Sequence, residues 1–190
     1  MKSILLIPHN DDEVLFCAYT IMREKPNVIV ITDSYVQQKR GLKFSAFDRR
    51  METKRAMDLV GVPVKFSGVR DDEASNQNIR EALKIIRENY NPELVYAPMV
   101  EGGNAIHDMV GEEATLVFKN VEYYSTYTKT RAYPEADIEI KPTEAERELK
   151  LEMLECYDTQ KNLSSVKLYF EYAKRNSEYR SLLCSLPKTA

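Results

Sequence analysis

The chain has no basic excess: 27 Lys and Arg stand against 30 Asp and Glu, a formal net charge of −3. Nucleic-acid binders usually carry a clear basic surplus, so no nucleic-acid partner is expected. No apolar run approaches the ~18 residues needed to cross a bilayer, and no transmembrane segment is expected. The opening stretch, MKSILLIPHNDDE, has one Lys and a short apolar run. It lacks the longer apolar segment and small-residue cleavage site of a signal peptide, and reads instead as a buried strand. Cysteine is scarce and odd in number: Cys17, Cys156 and Cys184, none close to another. That excludes a disulfide framework and a structural zinc knuckle, and fits reduced thiols in a cytoplasmic protein, mostly at apolar helix positions. Internal repeats, low-complexity tracts and an interdomain linker are all missing. Histidine occurs only twice, at His9 and His107.

What remains is ordinary globular material. The 190 residues are 43% hydrophobic and 30% charged, enough for one soluble domain spanning 1–190 with a real core. Short apolar runs alternate with stretches of helical period. Ser3 to Ile7 is a nearly continuous apolar run, as in a strand covered on both faces. Glu13 to Lys25 has helical spacing, with Asp11 or Asp12 as the capping residue. Val28 to Thr32 is a second buried strand. Ser45 to Val60 is a helix stopped by Gly61, and Val64 to Phe66 a short strand. Asn76 to Asn89 is a helix, and Leu94 to Ala97 a fourth strand. Glu101 to Ala105 forms a loop leading to His107, followed by a helix over Met109 to Phe118 and a strand over Val121 to Tyr127. Thr143 to Tyr157 is a helix whose Thr143 and Glu146 fit a capping box. The segment from Val166 is expected to be helical. This order implies an α/β fold: a Rossmann-like, mostly parallel sheet with helices on both faces, in a single domain.

Ligands in such sheets gather at the carboxyl ends of the strands. His9 to Asp12 lie just past the first strand and Glu101 to His107 just past the fourth, so both segments reach the same edge. Catalytic zinc commonly takes three N or O ligands and keeps one place for water. A pair of histidines and one aspartate satisfies that, and a neighbouring carboxylate can take the water's proton. His9, Asp11 and Asp12 place a ligand, a base and a ligand within one short turn. The competing reading of Asp11-Asp12-Glu13 is an acidic first helical turn favoured by the helix dipole. Asp71-Asp72-Glu73 is a second acidic run without a nearby His, read as a solvated face with the option of one Asp reaching a ligand. Tyr123, Tyr124, Tyr127 and Tyr133 read as half-buried sheet residues, with stacking on a ligand face as the alternative. No GxGxxG follows the first strand, which argues against a nucleotide-binding Rossmann domain.

The segment Ile7-Pro8-His9-Asn10-Asp11-Asp12-Glu13 resembles the HPDDE-type signature of the PIG-L/LmbE-like N-deacetylases, with Asn10 where the family often has Pro. Arg49-Arg50-Met51-Glu52, followed by Ala56 and Leu59-Val60-Gly61-Val62, is similar to the family's RxxE…A…LGV segment. Asn104-Ala105-Ile106-His107 falls where the family carries HPDH. Lys150 through Tyr157-Asp158-Thr159-Gln160 resembles its late K…HxSQ segment. The four patterns keep the family's order over roughly residues 1–160. The resemblance implies zinc-dependent removal of an N-acetyl group from an amino sugar or sugar conjugate, with a small-molecule substrate. It implies Zn2+ held by His9, Asp12 and His107, and Asp11 as general base. Arg49 takes the place of a substrate-contact residue; a surface charge or a salt bridge to Glu52 is the alternative. Asn104 stands for a His that steadies the oxyanion or delivers a proton. Asn can donate to an oxyanion but cannot shuttle a proton. That departure motivates the other reading of the chain, a non-catalytic or weakened zinc-binding module. The loops Ser34 to Phe44, Gly68 to Ser75 and Thr128 to Pro142 are expected to frame the pocket.

Overall fold

Successive residues of a strand point to opposite faces of its sheet, so an unbroken apolar run needs a cover on each side. Strand β1 (Ser3–Ile7) meets that demand. Leu5 and Ile7 join one hydrophobic cluster, and Ile4 and Leu6 join another. The computed structural model describes residues 2–33, 44–127, 136–161 and 177–182. The elements after β1 are α1 (Asp12–Glu24), β2 (Asn27–Asp33), α2 (Ala46–Val60), β3 (Val64–Arg70), a 3-10 turn at Asp71–Glu73, α3 (Asn76–Tyr90), β4 (Leu94–Pro98), α4 (Ala105–Val117), β5 (Val121–Tyr124), β6 (Ile138–Ile140), α5 (Glu144–Glu155), α6 (Asp158–Lys161) and β7 (Glu178–Ser181).

The seven strands form one sheet in the order β3-β2-β1-β4-β5-β7-β6. The pairings from β3 through β5 are parallel, whereas β7 runs antiparallel to both β5 and β6. One face is covered by α1, α2 and α5 through residues such as Leu15, Ala18, Met57 and Met153. The other is covered by α3 and α4 through Ile79, Leu83, Val110 and Ala114. This is the expected α/β sheet with helices on both faces.

Local chemistry sets the helix ends. Ser45 with Asp48, Ser75 with Asn78, and Thr143 with Glu146 each complete a reciprocal capping box. Gly61, at φ 65°, closes α2 in the left-handed conformation that glycine adopts without strain.

The structure departs from the sequence expectation in several places. β3 continues to Arg70, and β5 stops at Tyr124, which leaves Tyr127 beyond the strand. α4 begins at Ala105, so His107 lies in a first helical turn rather than after a loop. β6 occupies part of the segment read as a loop from Thr128 to Pro142; residues 128–135, Tyr133 among them, lie outside the described residues. So do residues 34–43 of the Ser34 to Phe44 loop, and Cys184. Of the segment expected to be helical from Val166, residues 166–176 and 183–190 are likewise outside, and Glu178–Ser181 is strand β7.

No hydrophobic period announces β7 because charged residues occupy its buried positions. Glu178 accepts the Tyr19 and Thr20 N–H groups at 2.7 and 3.0 Å. Arg180 pairs with Glu24 and Glu122 at 2.8 and 3.1 Å. Cys17 is buried in α1, and Cys156 ends α5; both are free thiols.

Candidate active site

The strand order reverses between β1 and β4: β2 and β3 lie to one side of the pair, β5 to the other. Connections leaving two such neighbours diverge, which opens a crevice at their carboxyl ends. His9 to Asp12 leave β1 at this point, and the segment from Met99 to His107 leaves β4. The topology therefore brings together side chains 98 residues apart in sequence.

Three donor atoms converge there. His107 Nε2 is 2.9 Å from Asp12 Oδ2, His9 Nδ1 is 3.2 Å from the same oxygen, and the two ring nitrogens are 3.2 Å apart. Asp12 Oδ2 also accepts the His9 backbone N–H at 2.9 Å. Bonds of ~2.0–2.1 Å directed to the corners of a tetrahedron put neighbouring donors about 3.3–3.4 Å apart. The observed triangle is slightly tighter than that, so a small expansion around a cation suffices. The donor set, two imidazoles and one carboxylate, is of the type that open zinc sites use. His9, Asp12 and His107 thus form a cluster able to hold a metal ion.

Electrostatics agree with the geometry. Burial alone would raise the Asp12 carboxyl, but His107 and His9 outweigh it and hold Asp12 well below the usual carboxylate range. Burial would likewise lower His9, yet Asp12, then Asp11 and Asp71, push it up. The field at the cluster favours positive charge. His107 itself is 1% exposed, and its Nδ1 has no hydrogen-bond partner among the described residues.

Asp11 sits beside the cluster in a backbone conformation unusual for a non-glycine residue, φ 102° and ψ −27°. Such a conformation costs on the order of 1–3 kcal/mol and persists only where the surroundings over-determine it. Asp11 occupies the N-cap position of α1 but makes no side-chain cap bond. Its carboxylate instead pairs with Arg49 Nη2 at 3.1 Å, and its N–H donates to Glu13 Oε2 at 3.0 Å. Burial pushes the Asp11 carboxyl up to about 6 against the pull of Arg49, and the charge of Asp12 adds to the rise.

Arg49 is not a surface charge: it is 1% exposed. Its guanidinium donates to the Asn10 carbonyl and to Thr159 Oγ1 at 3.0 Å, and meets Glu52 at 3.4 Å as well as Asp11. The ion pair with Glu52 that the sequence allows is therefore present, within a larger network. Glu52 in turn accepts the Thr159 N–H and hydroxyl at 2.8 and 2.6 Å. Asn10 donates to Thr53 Oγ1 at 3.0 Å. Glu13, fully buried, accepts the Tyr157 hydroxyl, and burial pushes its carboxyl up to about 7.

The second segment is held differently. Asn104 caps α4, its Oδ1 accepting the Ile106 N–H at 2.9 Å. That leaves the side-chain NH2 without a partner among the described residues. Asp108 Oδ1 accepts the Glu101 and Gly102 N–H groups at 2.9 and 3.0 Å. Glu101 accepts the Ser125 hydroxyl and the Thr126 N–H at 2.9 and 2.6 Å.

In the acidic run, Asp71 and Asp72 are half-buried and Glu73 exposed. Asp72 pairs with Arg70 at 3.0 Å, while Asp71 lies close enough for its charge to raise His9. The run is thus closer to the site than a merely solvated face. Tyr123 and Tyr124 are sheet residues, as expected, but buried rather than half-buried. The Tyr127 ring packs 5.3 Å from the His107 ring and 4.8 Å from Phe16. Sequence reasoning gave no role to Glu13, Tyr157 or Thr159. The late segment Tyr157-Asp158-Thr159-Gln160 was visible as a pattern, but its contacts with residues 107 and 144 positions away were not.

Comparison with solved structures places the fold. The conserved protein TT1542 from Thermus thermophilus matches over 100% of this chain and 99% of its own, with TM-score 0.74 and 16% identity. GalB, the 4-carboxy-2-hydroxymuconate hydratase from Pseudomonas putida KT2440, matches over 100% and 98%, with TM-score 0.73 and 14% identity. N,N'-diacetylchitobiose deacetylase from Pyrococcus horikoshii matches over 99% and 87%, with TM-score 0.71 and 19% identity. At such identities the likeness concerns the fold. No curated protein matches the sequence. The model of the family described as PIG-L, GlcNAc-PI de-N-acetylase, matches residues 4–118, a span that contains His9, Asp12, Arg49 and His107. The chain belongs to the PIG-L family.

Proposed function

We propose that this protein is a zinc-dependent N-deacetylase that removes the acetyl group from an N-acetylated amino sugar or sugar conjugate. The observation that carries the reading is the convergence of His9 Nδ1, Asp12 Oδ2 and His107 Nε2, with the Asp11 carboxylate beside them. The family description and the deacetylase among the structural relatives support the reaction class.

His9, Asp12 and His107 would hold the ion. Bound there, zinc supplies a Lewis acid that polarises the acetyl carbonyl and makes a water more acidic. Asp11 takes the proton from the attacking water as general base. Its carboxyl, raised towards neutrality by burial, is suited to accept and then release a proton. The Asn104 NH2 group, left over from helix capping, donates to the oxyanion of the tetrahedral intermediate. Asp11 then returns its proton to the leaving amine, and the C–N bond breaks to give acetate and the free amino sugar. Arg49 keeps the Asp11 carboxylate in place; a direct contact with substrate remains a second role for it.

The test is acetate release by zinc-loaded protein from a panel of N-acetylated amino sugars, read together with metal content. Asp11→Ala is expected to lose about 10²–10⁴-fold in turnover with zinc retained, and His107→Ala to lose zinc. Undiminished turnover in Asp11→Ala refutes the base assignment. The replacement of the family histidine by Asn104 favours a second reading, a zinc-binding module without catalysis. Absence of acetate release by fully loaded wild-type protein across the panel would select it.

A further inference from the structure

We propose that Glu13 and Tyr157 are positioning residues for Asp11: together they hold its backbone in the left-handed conformation that presents the carboxylate beside the ligand cluster. The inference rests on the deacetylase reading and adds two residues to it. Two side chains grip the Asp11 turn. Arg49 grips the Asp11 carboxylate and the Asn10 carbonyl, and Glu13 grips the Asp11 amide.

The Glu13 carboxylate is divided between two tasks. Oε2 accepts the Asp11 N–H at 3.0 Å, and Oε1 accepts the Tyr157 hydroxyl. Both side chains are 0% exposed, so bulk water cannot replace either bond. Tyr157 directly follows α5, while Glu13 lies in the first turn of α1; the hydroxyl ties one element to the turn that starts the other. The Arg49 guanidinium lies 5.7 Å from the centre of the Tyr157 ring, so the same phenol abuts both grips on Asp11.

The alternative is that Glu13 and Tyr157 form a core hydrogen bond with no bearing on Asp11. The two differ in what deletion of one oxygen does. Tyr157→Phe keeps the ring and removes the hydroxyl that donates to Glu13. Freed on that side, Glu13 turns away from the Asp11 amide, and Asp11 relaxes from its left-handed conformation. The Val14 and Leu15 N–H groups, which donate to the Asp11 carbonyl at 3.0 Å, keep their partner as long as α1 stays folded.

The experiment has two arms on zinc-loaded full-length protein. In the first, N,N'-diacetylchitobiose is the substrate. Tyr157→Phe is expected to lower kcat roughly ten- to hundredfold with KM and zinc stoichiometry unchanged. Tyr157→His, whose ring N–H can donate to Glu13, is expected to regain part of that loss. In the second, amide hydrogen exchange is followed at Asp11. It is expected to accelerate at least tenfold in Tyr157→Phe, with Val14 and Leu15 unchanged. Unaltered kcat and unaltered Asp11 exchange in a folded variant overturn the proposal. So does a uniform rise in exchange along α1 with loss of zinc, because that is a stability effect. Should wild-type protein release no acetate from this substrate, the deacetylase reading fails for it, and the exchange arm alone decides whether the brace exists.

Discussion

The segments that leave β1 and β4 deliver donors to one point, yet different forces hold them. After β1, Asn10, Asp11, Asp12 and Glu13 are all buried, and side-chain ion pairs and hydrogen bonds hold the three acids in place: Arg49 on Asp11, the histidines on Asp12, and the Tyr157 hydroxyl on Glu13. After β4, Glu101 to Ile106 are half-buried or exposed, and the contacts are mostly bonds from backbone N–H groups to side-chain oxygens, through Asp108, Asn104 and Glu101. The difference shows where substitution is tolerated. A helix N-terminus accepts Asn as readily as other capping residues, so a segment held by caps can change residue 104 and keep its shape. A buried carboxylate facing a buried guanidinium has no such freedom, because removing either charge leaves the other uncompensated. The β1 side fixes Asp11, the proposed base; the β4 side has room to vary.

Arg49→Met provides the sharpest way to break this contrast. It keeps an unbranched apolar stem and removes the cation that faces Asp11 and Glu52 in the interior. Breaking a buried pair in this way costs about 3–5 kcal/mol, and urea unfolding at neutral pH measures it. A loss under about 1 kcal/mol, the size of an exposed pair, would mean that the β1 side is no more tightly determined than its partner.

Next in size comes a test of the β4 side at its tightest contact. A Cβ added to Gly103 would lie 1.8 Å from the Tyr127 carbonyl oxygen and 2.3 Å from its carbon. Neither atom is the end of a flexible side chain, so the backbone must separate. Gly103→Ala is expected to cost about 1–3 kcal/mol, as overpacking does elsewhere. The displacement would also move Tyr127, and with it the ring beside His107. Thermal unfolding together with metal content checks this prediction: if the β4 side is held only loosely, stability falls by less than about 1 kcal/mol even where metal is lost.

Those two sides were not equally legible in the sequence. β1, β2 and β4 were readable because strands covered on both faces have apolar runs with no alternation to interrupt them. His9, Asp12 and His107 were readable because histidine is scarce and each follows such a run. The Arg49–Glu52 pair is three residues apart on a helix, a local spacing that sequence displays. Arg49 with Asp11, and Glu13 with Tyr157, join distant segments by single polar contacts, and a polar contact leaves no periodicity. β6 and β7 failed for a related reason. In β7 the buried positions hold Glu178, hydrogen-bonded to α1, and Arg180, ion-paired with Glu24 and Glu122, where an apolar residue would have signalled a strand. The Asn104 cap was also hidden, since the helix was expected to begin four residues later than it does.

The smallest change in stability is expected at that cap, and it bears most directly on what the β4 side still contributes. Asn104 uses Oδ1 on the Ile106 N–H and keeps its NH2 group for another partner. Asn104→Ala removes both and is expected to cost about 1 kcal/mol of stability. Asn104→Asp restores the acceptor, and its charge suits the positive end of the helix, so unfolding should return close to that of the unmodified chain. It cannot restore the N–H donor. If that donor steadies the oxyanion, acetate release stays low in Asn104→Asp, by as much as about 10²–10³-fold, although the cap is repaired. If acetate release recovers along with stability, Asn104 serves α4 alone, and the proposed reaction meets the developing oxyanion charge without a side-chain donor at residue 104.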